Sequence, residues 1–141
     1  MFPPLYTAAL TAFLISIQTI LGGVVSTHRR QKRIGVGAAG DLHLERKIRM
    51  HANLVENAAI FVVAVALLES MVGQRPVVLA LCLVFALGRI VHVFAFSSLG
   101  GSHGGDHPGR NVHVPARMFA ALLTSITAIA VAILLVREVF A

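Results

Sequence analysis

Four polar side chains lie within eight positions near the start of an apolar segment, in the stretch IRMHANLVEN: Arg49, His51, Asn53 and Glu56. On a helix, Arg49, Asn53 and Glu56 fall at i, i+4 and i+7, which at about 100° per residue places them within about 60° of one another. His51 points to nearly the opposite side. Charged groups at membrane depth cost ~2.5 to 3.5 kcal/mol each, so they usually face a protein interior or a wet cavity. The cluster is therefore a candidate binding site, and its two polar faces favour a subunit interface.

The other apolar segments carry further cations. In the third segment Arg89, His92 and Phe96 fall at i, i+3 and i+7, along one stripe of a helix. Because successive helices cross a membrane in opposite directions, this stripe and the Arg49 cluster are expected at similar depth. The first and last segments place three more arginines at the same end: Arg29, Arg30 and Arg117. Every helix is therefore expected to contribute a cation to one polar pocket.

The pocket combines many arginines with one glutamate, Glu56. Guanidinium groups bind carboxylates through paired hydrogen bonds and stabilise a nearby thiolate, while a glutamate holds an amino group. This inventory favours a small zwitterion with excess negative charge, such as a peptide with two carboxylates, an amine and a thiol. A structural interpretation stays open for single residues: Arg49 and Glu56 as a buried ion pair, Arg89 as a snorkelling side chain, and His51 as a hydrogen-bonded interface histidine.

Composition indicates the environment of these residues. The chain has 141 residues, of which 57% are hydrophobic and 13% charged, and its mean hydropathy is +0.83. Four segments are long and apolar enough to cross a hydrocarbon core about 30 Å thick. We therefore predict one all-α domain over residues 1–141, an integral membrane four-helix bundle with helices at about 4–28, 46–72, 76–99 and 114–138. Cys82, alone in an apolar run, is interpreted as a packing residue.

The distribution of basic residues predicts the orientation. Seven of the twelve Lys and Arg residues lie between Arg29 and Arg49, and short loops rich in these residues stay cytoplasmic. Four helices then place both termini outside and the polar pocket on the cytoplasmic side, in the inner membrane if the source is bacterial. The formal charge of +6 is explained by this rule and by contact with anionic membrane lipids. No nucleic-acid partner is expected, because the basic residues have no aromatic partners.

A His-rich loop spans residues 100–113 and contains the stretch HGGDHPGRNVH. Its three histidines and one aspartate are possible metal ligands. Their spacing is irregular and the glycines leave the segment without a fixed geometry, so a lid or a linker is the favoured interpretation. We expect no metal site.

Three blocks of sequence, RMHANLVE, LGRIVHVFAF and PARMFAALLT, carry a resemblance to a known family. Together they resemble the MAPEG family, the membrane-associated proteins in eicosanoid and glutathione metabolism, and in particular its bacterial members similar to microsomal glutathione transferases. The resemblance covers essentially the whole chain. It implies a homotrimer that binds glutathione as a thiol co-substrate between neighbouring subunits. The thiolate would then react with lipophilic electrophiles or hydroperoxides that arrive from the bilayer.

The resemblance also implies roles for individual residues. Arg49, Asn53 and Glu56 would hold glutathione from one subunit, and His51 would project toward the neighbour. Arg29 or Arg30 matches a basic pair of which one member assists from the adjacent subunit. Arg117 matches the arginine that stabilises the thiolate, with Arg110 as a competitor. The remaining predicted glutathione contacts are on the third helix: Arg89 and His92.

Three tyrosines of family members related to leukotriene synthesis are replaced in this sequence, by Asn57, His92 and Phe96. His92 is a candidate replacement for one of the missing hydroxyl groups. Two other functions stay open. One is a non-catalytic lipid-binding or scaffold member of the same fold. The other is a small multidrug exporter, for which Glu56 would be the membrane-embedded carboxylate, since Glu69 lies near the far end of its helix.

Overall fold

The computed structural model describes residues 1–99 and 110–141, which form four helices. They are α1 (Leu5–Lys32), α2 (Leu42–Val72), α3 (Pro76–Ala95) and α4 (Arg110–Val139). α1 packs mainly against α2, α3 packs mainly against α4, and α2 joins the two pairs through its contact with α4. All four helices are long and apolar enough to cross a membrane. This confirms the predicted all-α architecture.

At the basic end of the bundle, α1 and α2 are both longer than predicted. α1 continues from residue 28 to Lys32, because Arg and Lys are good helix formers and hydropathy does not register them. It ends where Arg33 adopts a left-handed conformation, with φ of 56°. α2 begins at Leu42, four residues before the predicted start, because the side chain of Asp41 accepts a hydrogen bond from the backbone N–H of Leu44 at 3.0 Å.

The ends of α3 and α4 that flank the His-rich loop also differ from the prediction. α3 ends at Ala95 rather than at residue 99, and α4 begins at Arg110 rather than at residue 114. Pro115 therefore lies inside α4, where it removes one intrahelical hydrogen bond without ending the helix. Most of the His-rich loop, residues 100–109, lies outside the described residues. Of its histidines, His113 is described, and its ring stacks on Phe94 at 5.1 Å between centroids.

The core is apolar and lies along the bundle axis. It contains a stacked pair of rings, Phe61 of α2 and Phe85 of α3, with centroids 3.8 Å apart. Cys82 is buried in the same core, as expected for a packing residue. The outward faces expose large aliphatic side chains such as Ile60 and Ile133, 75% and 63% exposed. Exposure of such apolar surfaces to water would cost free energy, whereas contact with lipid is expected for the outer surface of a membrane protein.

A buried carboxylate from α2 caps the first turn of α1. Pro4 offers no side-chain cap to that helix. Instead Glu69, which has no exposed surface, accepts hydrogen bonds from the backbone N–H groups of Tyr6 and Thr7, both at 2.8 Å, and from the Thr7 hydroxyl at 2.7 Å. An anion at a helix N-terminus is stabilised by free N–H groups and by the helix dipole. Glu69 therefore joins α1 to the far end of α2.

We expect Glu69→Gln to destabilise the protein by about 1.5 to 3 kcal/mol, the usual value of a hydrogen bond to a charged group. The glutamine amide would lack the negative charge of the Glu69 carboxylate. Its NH₂ group would also face the Tyr6 and Thr7 donors, which need a hydrogen-bond acceptor. Thermal unfolding in detergent measures the effect. Glu45→Gln, at an exposed position in the first turn of α2, is the matched control and should cost at most about 1 kcal/mol. Equal unfolding temperatures for the two variants would contradict the capping role.

A second polar network ties α1 to α2 at the basic end. The Nε2 atom of His28 lies 2.9 Å from Oδ2 of Asp41, and the Nζ atom of Lys47 lies 2.8 Å from Nδ1 of the same ring. The hydrogen bond with His28, and then the bond from the Leu44 N–H, lower the pKa of Asp41 from 3.8 to about 2. Because the pKa is lower in the folded state, ionised Asp41 stabilises the fold above pH 3.8.

We expect this stabilisation to disappear as the pH falls from 3.8 to about 2. Asp41→Asn keeps an oxygen acceptor for the Leu44 N–H but removes the charge. Wild type should therefore unfold at a higher temperature than Asp41→Asn at neutral pH. The difference between the two unfolding temperatures should decrease as the pH falls from 3.8 to about 2. Thermal unfolding of both proteins in detergent at a series of pH values tests this. A difference that stays constant down to the lowest pH would contradict it.

Candidate functional site

The predicted polar face of α2 lines a cavity. Arg49, Asn53 and Glu56 surround a space of about 150 Å³ together with Ala52 and with Phe96, which directly follows α3. Their spacing of four and three residues brings them to one side of the helix. Arg49 and Glu56 are exposed in the single chain, and Asn53 is half-buried. The structure thus brings the three residues together.

Arg89 of α3 lies behind this cavity, 2% exposed. Its Nη1 donates to Oδ1 of Asn53 at 2.9 Å, and its Nη2 donates to the hydroxyl of Thr124 on α4. Its guanidinium carbon also lies 5.3 Å from the centroid of the Phe85 ring. Arg89 therefore does not snorkel toward the membrane surface. Its hydrogen-bond partners are neutral, so its positive charge remains available to an anion in the cavity.

Phe96 connects the cavity to two more predicted site residues. The ring of His92 stacks on Phe96 with centroids 4.6 Å apart, and the guanidinium carbon of Arg117 lies 6.0 Å from the Phe96 centroid. His92 is 6% exposed, and neither of its ring nitrogens has a hydrogen-bond partner among the described residues. A buried ring with two unused nitrogens can receive a polar ligand group. The side chain of Phe96 therefore separates Arg117 from the cavity.

Arg46 is a residue of this region that the sequence analysis missed. It lies one turn before Arg49 on α2, and its Nη1 donates to the backbone carbonyl of Phe96. A cation at the C-terminal end of a helix satisfies a free carbonyl and complements the helix dipole. Arg46 and Arg49 are three residues apart, which places them on the same side of a helix. This spacing could have identified Arg46 as a neighbour of the site from the sequence. Arg46 holds the end of α3, and with it Phe96, against α2.

Comparison with known proteins decides the family. The sequence model of the MAPEG family matches residues 7–137, nearly the whole chain. The chain belongs to the MAPEG family. A search of curated proteins found no match. With its four apolar helices, this MAPEG protein is an integral multi-pass membrane protein.

Three other predicted site residues of the MAPEG protein lie away from the cavity within one chain. His51 faces α1 and lies close to Gly22. The Nε2 atom of His51 is 3.5 Å from the position that a Cβ atom would take at Gly22. Arg29 and Arg30 line a separate open depression at the end of α1, and Nη1 of Arg29 donates to the carbonyl of Gly35 at 3.1 Å. Within one chain these three residues therefore do not line the cavity of Arg49. The side chain of Arg110, the competitor of Arg117, lies outside the described part of the chain.

An apolar crevice of about 240 Å³ lies between α2 and α4 of the MAPEG protein, next to the polar cavity. Its walls include Ile60 and Phe61, and Asn57 and Thr124 mark its polar edge. The amide of Asn57 donates to the backbone carbonyl of Asn53 at 2.8 Å. Thr124 is also the hydroxyl that Arg89 contacts. Arg89 thus links a polar cavity to an apolar crevice, an arrangement that suits one polar and one lipophilic reactant.

Proposed function

We propose that the protein is a membrane-bound glutathione-dependent transferase or peroxidase that acts as a homotrimer. One observation carries the proposal: a cavity lined by Arg49, Asn53 and Glu56 has the buried cation Arg89 behind it and Arg117 beside it. Three helices thus place positive charge around one carboxylate. Membership of the MAPEG family, which includes glutathione transferases and related enzymes, supports the same reaction class.

The charges of the cavity match those of glutathione. The tripeptide carries two carboxylates and one ammonium group at neutral pH, so it needs more cations than anions around it. Arg49 is suited to bind a carboxylate through paired hydrogen bonds, and Glu56 to bind the ammonium group. Asn53, held by Arg89, offers its amide to the peptide backbone, and the unused nitrogens of His92 are further candidate contacts.

The size and exposure of the cavity support a site between subunits. Small-molecule sites usually measure roughly 300 to 1,000 Å³, whereas one chain encloses about 150 Å³ here. Arg49 and Glu56 are also exposed within a helix that crosses the membrane, which is costly in contact with lipid. A neighbouring subunit would cover both side chains and complete the cavity. It would also bring a new copy of Arg29, Arg30 or His51 to the site.

In the proposed reaction Arg117 stabilises the glutathione thiolate with its fixed positive charge, and Arg30 of the adjacent subunit assists. The thiolate attacks an electrophilic carbon and forms a carbon–sulfur bond while the bond to a leaving group breaks, or while an activated double bond takes up the electron pair and then a proton. In the peroxidase reaction the thiolate attacks a hydroperoxide oxygen, so that a sulfur–oxygen bond forms, the oxygen–oxygen bond breaks and the alkoxide leaves as an alcohol after protonation. A second glutathione then converts the resulting sulfenic acid into glutathione disulfide and water. The lipophilic reactant is concentrated in the bilayer and reaches the thiolate through the apolar crevice, which raises the rate by proximity. The basic residues of the loop between α1 and α2 support an orientation with this site on the cytoplasmic side and both termini outside.

We expect Arg49→Ala and Glu56→Gln each to weaken glutathione binding by about tenfold or more, since each removes a hydrogen bond to a charged group. Isothermal titration calorimetry on the purified protein in detergent measures the affinity. Glu45→Gln, an exposed change on the same helix, is the control and should bind as wild type does. If both site variants retained wild-type affinity, the cavity assigned to glutathione would be wrong.

The apolar crevice favours one alternative function, the binding of a lipid without chemistry. Its walls between α2 and α4 would accept an acyl chain whether or not glutathione is present. The two functions differ in turnover. Conjugation of a lipophilic electrophile, dependent on glutathione and on Arg117, supports the enzyme. Lipid binding without any glutathione turnover supports the scaffold.

A further inference from the structure

A second crevice lies at the opposite end of the bundle, where α2 and α4 end and α3 begins. Its volume is about 640 Å³, within the usual range of ligand sites. Its apolar walls come from three helices: Leu68 and Val72 of α2, Val77 of α3 and Leu134 of α4. Phe2 closes one side, and its backbone N–H donates to the carbonyl of Ser70 at 2.9 Å. The N-terminus is therefore part of the crevice.

The rim of the crevice is positively charged. Arg75 lies in the turn before α3 and Arg137 lies in the last turn of α4. The Nε atom of Arg137 is 3.5 Å from a carboxylate oxygen of Glu138, and Nε of Arg75 donates to the carbonyl of Val72 at 3.3 Å. Two guanidinium groups and one carboxylate leave one net positive charge. The terminal nitrogens of Arg75 have no hydrogen-bond partner among the described residues.

The position of these groups determines which ligand fits. The apolar walls belong to helices long and apolar enough to cross a membrane, whereas both arginines lie at helix ends, where cationic side chains usually reach the lipid head groups. An occupant must therefore have an apolar chain and an anionic head at that depth. A phosphodiester carries one negative charge and accepts hydrogen bonds from two guanidinium groups at once. This matches the single net charge of the rim.

We propose that this crevice binds one anionic phospholipid from the adjacent leaflet. Its phosphate lies between Arg75 and Arg137, and one acyl chain lies along Val72, Val77 and Leu134. The site is separate from the cavity of Arg49, and the proposal does not depend on the glutathione reaction.

Photo-crosslinking in vesicles tests the proposal. The wild-type protein is placed in phosphatidylcholine vesicles that contain a trace of phosphatidylglycerol with a diazirine in its acyl chain, and the labelled peptides are mapped. We expect labels at the ends of α2 and α4, and competition by unlabelled phosphatidylglycerol at about tenfold lower concentration than by phosphatidylcholine. The double variant Arg75→Gln/Arg137→Gln should lose most of this labelling. Lys32→Gln, at the opposite end of the bundle, should not.

Other outcomes would overturn the proposal. Labels spread along all outer faces, or equal competition by both phospholipids, would show only general contact with lipid. Competition by a free fatty acid but not by phosphatidylglycerol would make the ligand a carboxylate lipid. Both comparisons use the wild-type protein, so they hold even if the double variant fails to fold.

Discussion

Replacing Arg117 by alanine is expected to abolish the thiolate absorbance of bound glutathione and to lower turnover by about 10²- to 10³-fold, the usual cost of losing one donor that stabilises an anion. Binding should weaken far less, because the carboxylate and ammonium contacts are assigned to α2. The physical reason is position. Arg117 lies against Phe96, which lines the cavity, but it is not among the residues that line the cavity itself. Ultraviolet difference absorbance on addition of glutathione measures the thiolate directly.

Two further variants serve as a control and as a test of the competing arginine. Lys32→Ala removes an exposed cation that lies outside both the cavity and the depression of Arg29, so it should leave the signal unchanged. Arg110→Ala tests the competing arginine at the start of α4. A thiolate signal that survives in Arg117→Ala and disappears in Arg110→Ala would transfer the role to Arg110. A signal that survives in both would remove the proposed activation step.

Arg89→Met is expected to make the unliganded protein more stable, by about 1 to 4 kcal/mol, and to weaken glutathione binding by about tenfold or more. Arg89 is a fully buried cation whose hydrogen-bond partners are neutral, so its desolvation is only partly compensated. Methionine fills a similar volume without that cost. Thr124 keeps its own hydrogen bond to the carbonyl of Ala120, and Asn53 lines the cavity, where water can reach it. Binding suffers because a fixed charge and the orientation of Asn53 are lost together.

Thermal unfolding and titration calorimetry on the same preparation measure the two effects. The contrast with Glu69 makes the test specific. Glu69 is equally buried, but three donors at a helix N-terminus compensate its charge, so its neutralisation should destabilise the protein. An Arg89→Met protein that unfolds at a lower temperature and binds glutathione normally would show that Arg89 is only a structural link between α2 and α4.

The helices and one face of the site were predictable because both depend on local pattern. Long apolar runs reveal membrane-crossing helices, and the spacing of Arg49, Asn53 and Glu56 places them on one side of α2 whatever surrounds it. The helix ends were less predictable. The chain continues as helix through the basic residues up to Lys32 and stops at Arg33, which adopts a left-handed conformation that composition does not reveal. At the other end of the same loop, Asp41 begins α2 with a side-chain cap.

The sequence by itself determined the membrane-crossing helices, the polar face of α2 and membership of the MAPEG family. Only the tertiary structure decided which polar groups are partners. The side chain of Glu69 reaches Thr7, 62 positions away, Arg46 reaches Phe96 across 50, and Arg89 reaches Asn53 across 36. The physical reason is that helical periodicity specifies the direction of a side chain around its own axis. The stagger and rotation of one helix against another follow from packing of the whole bundle, and these decide which side chains meet.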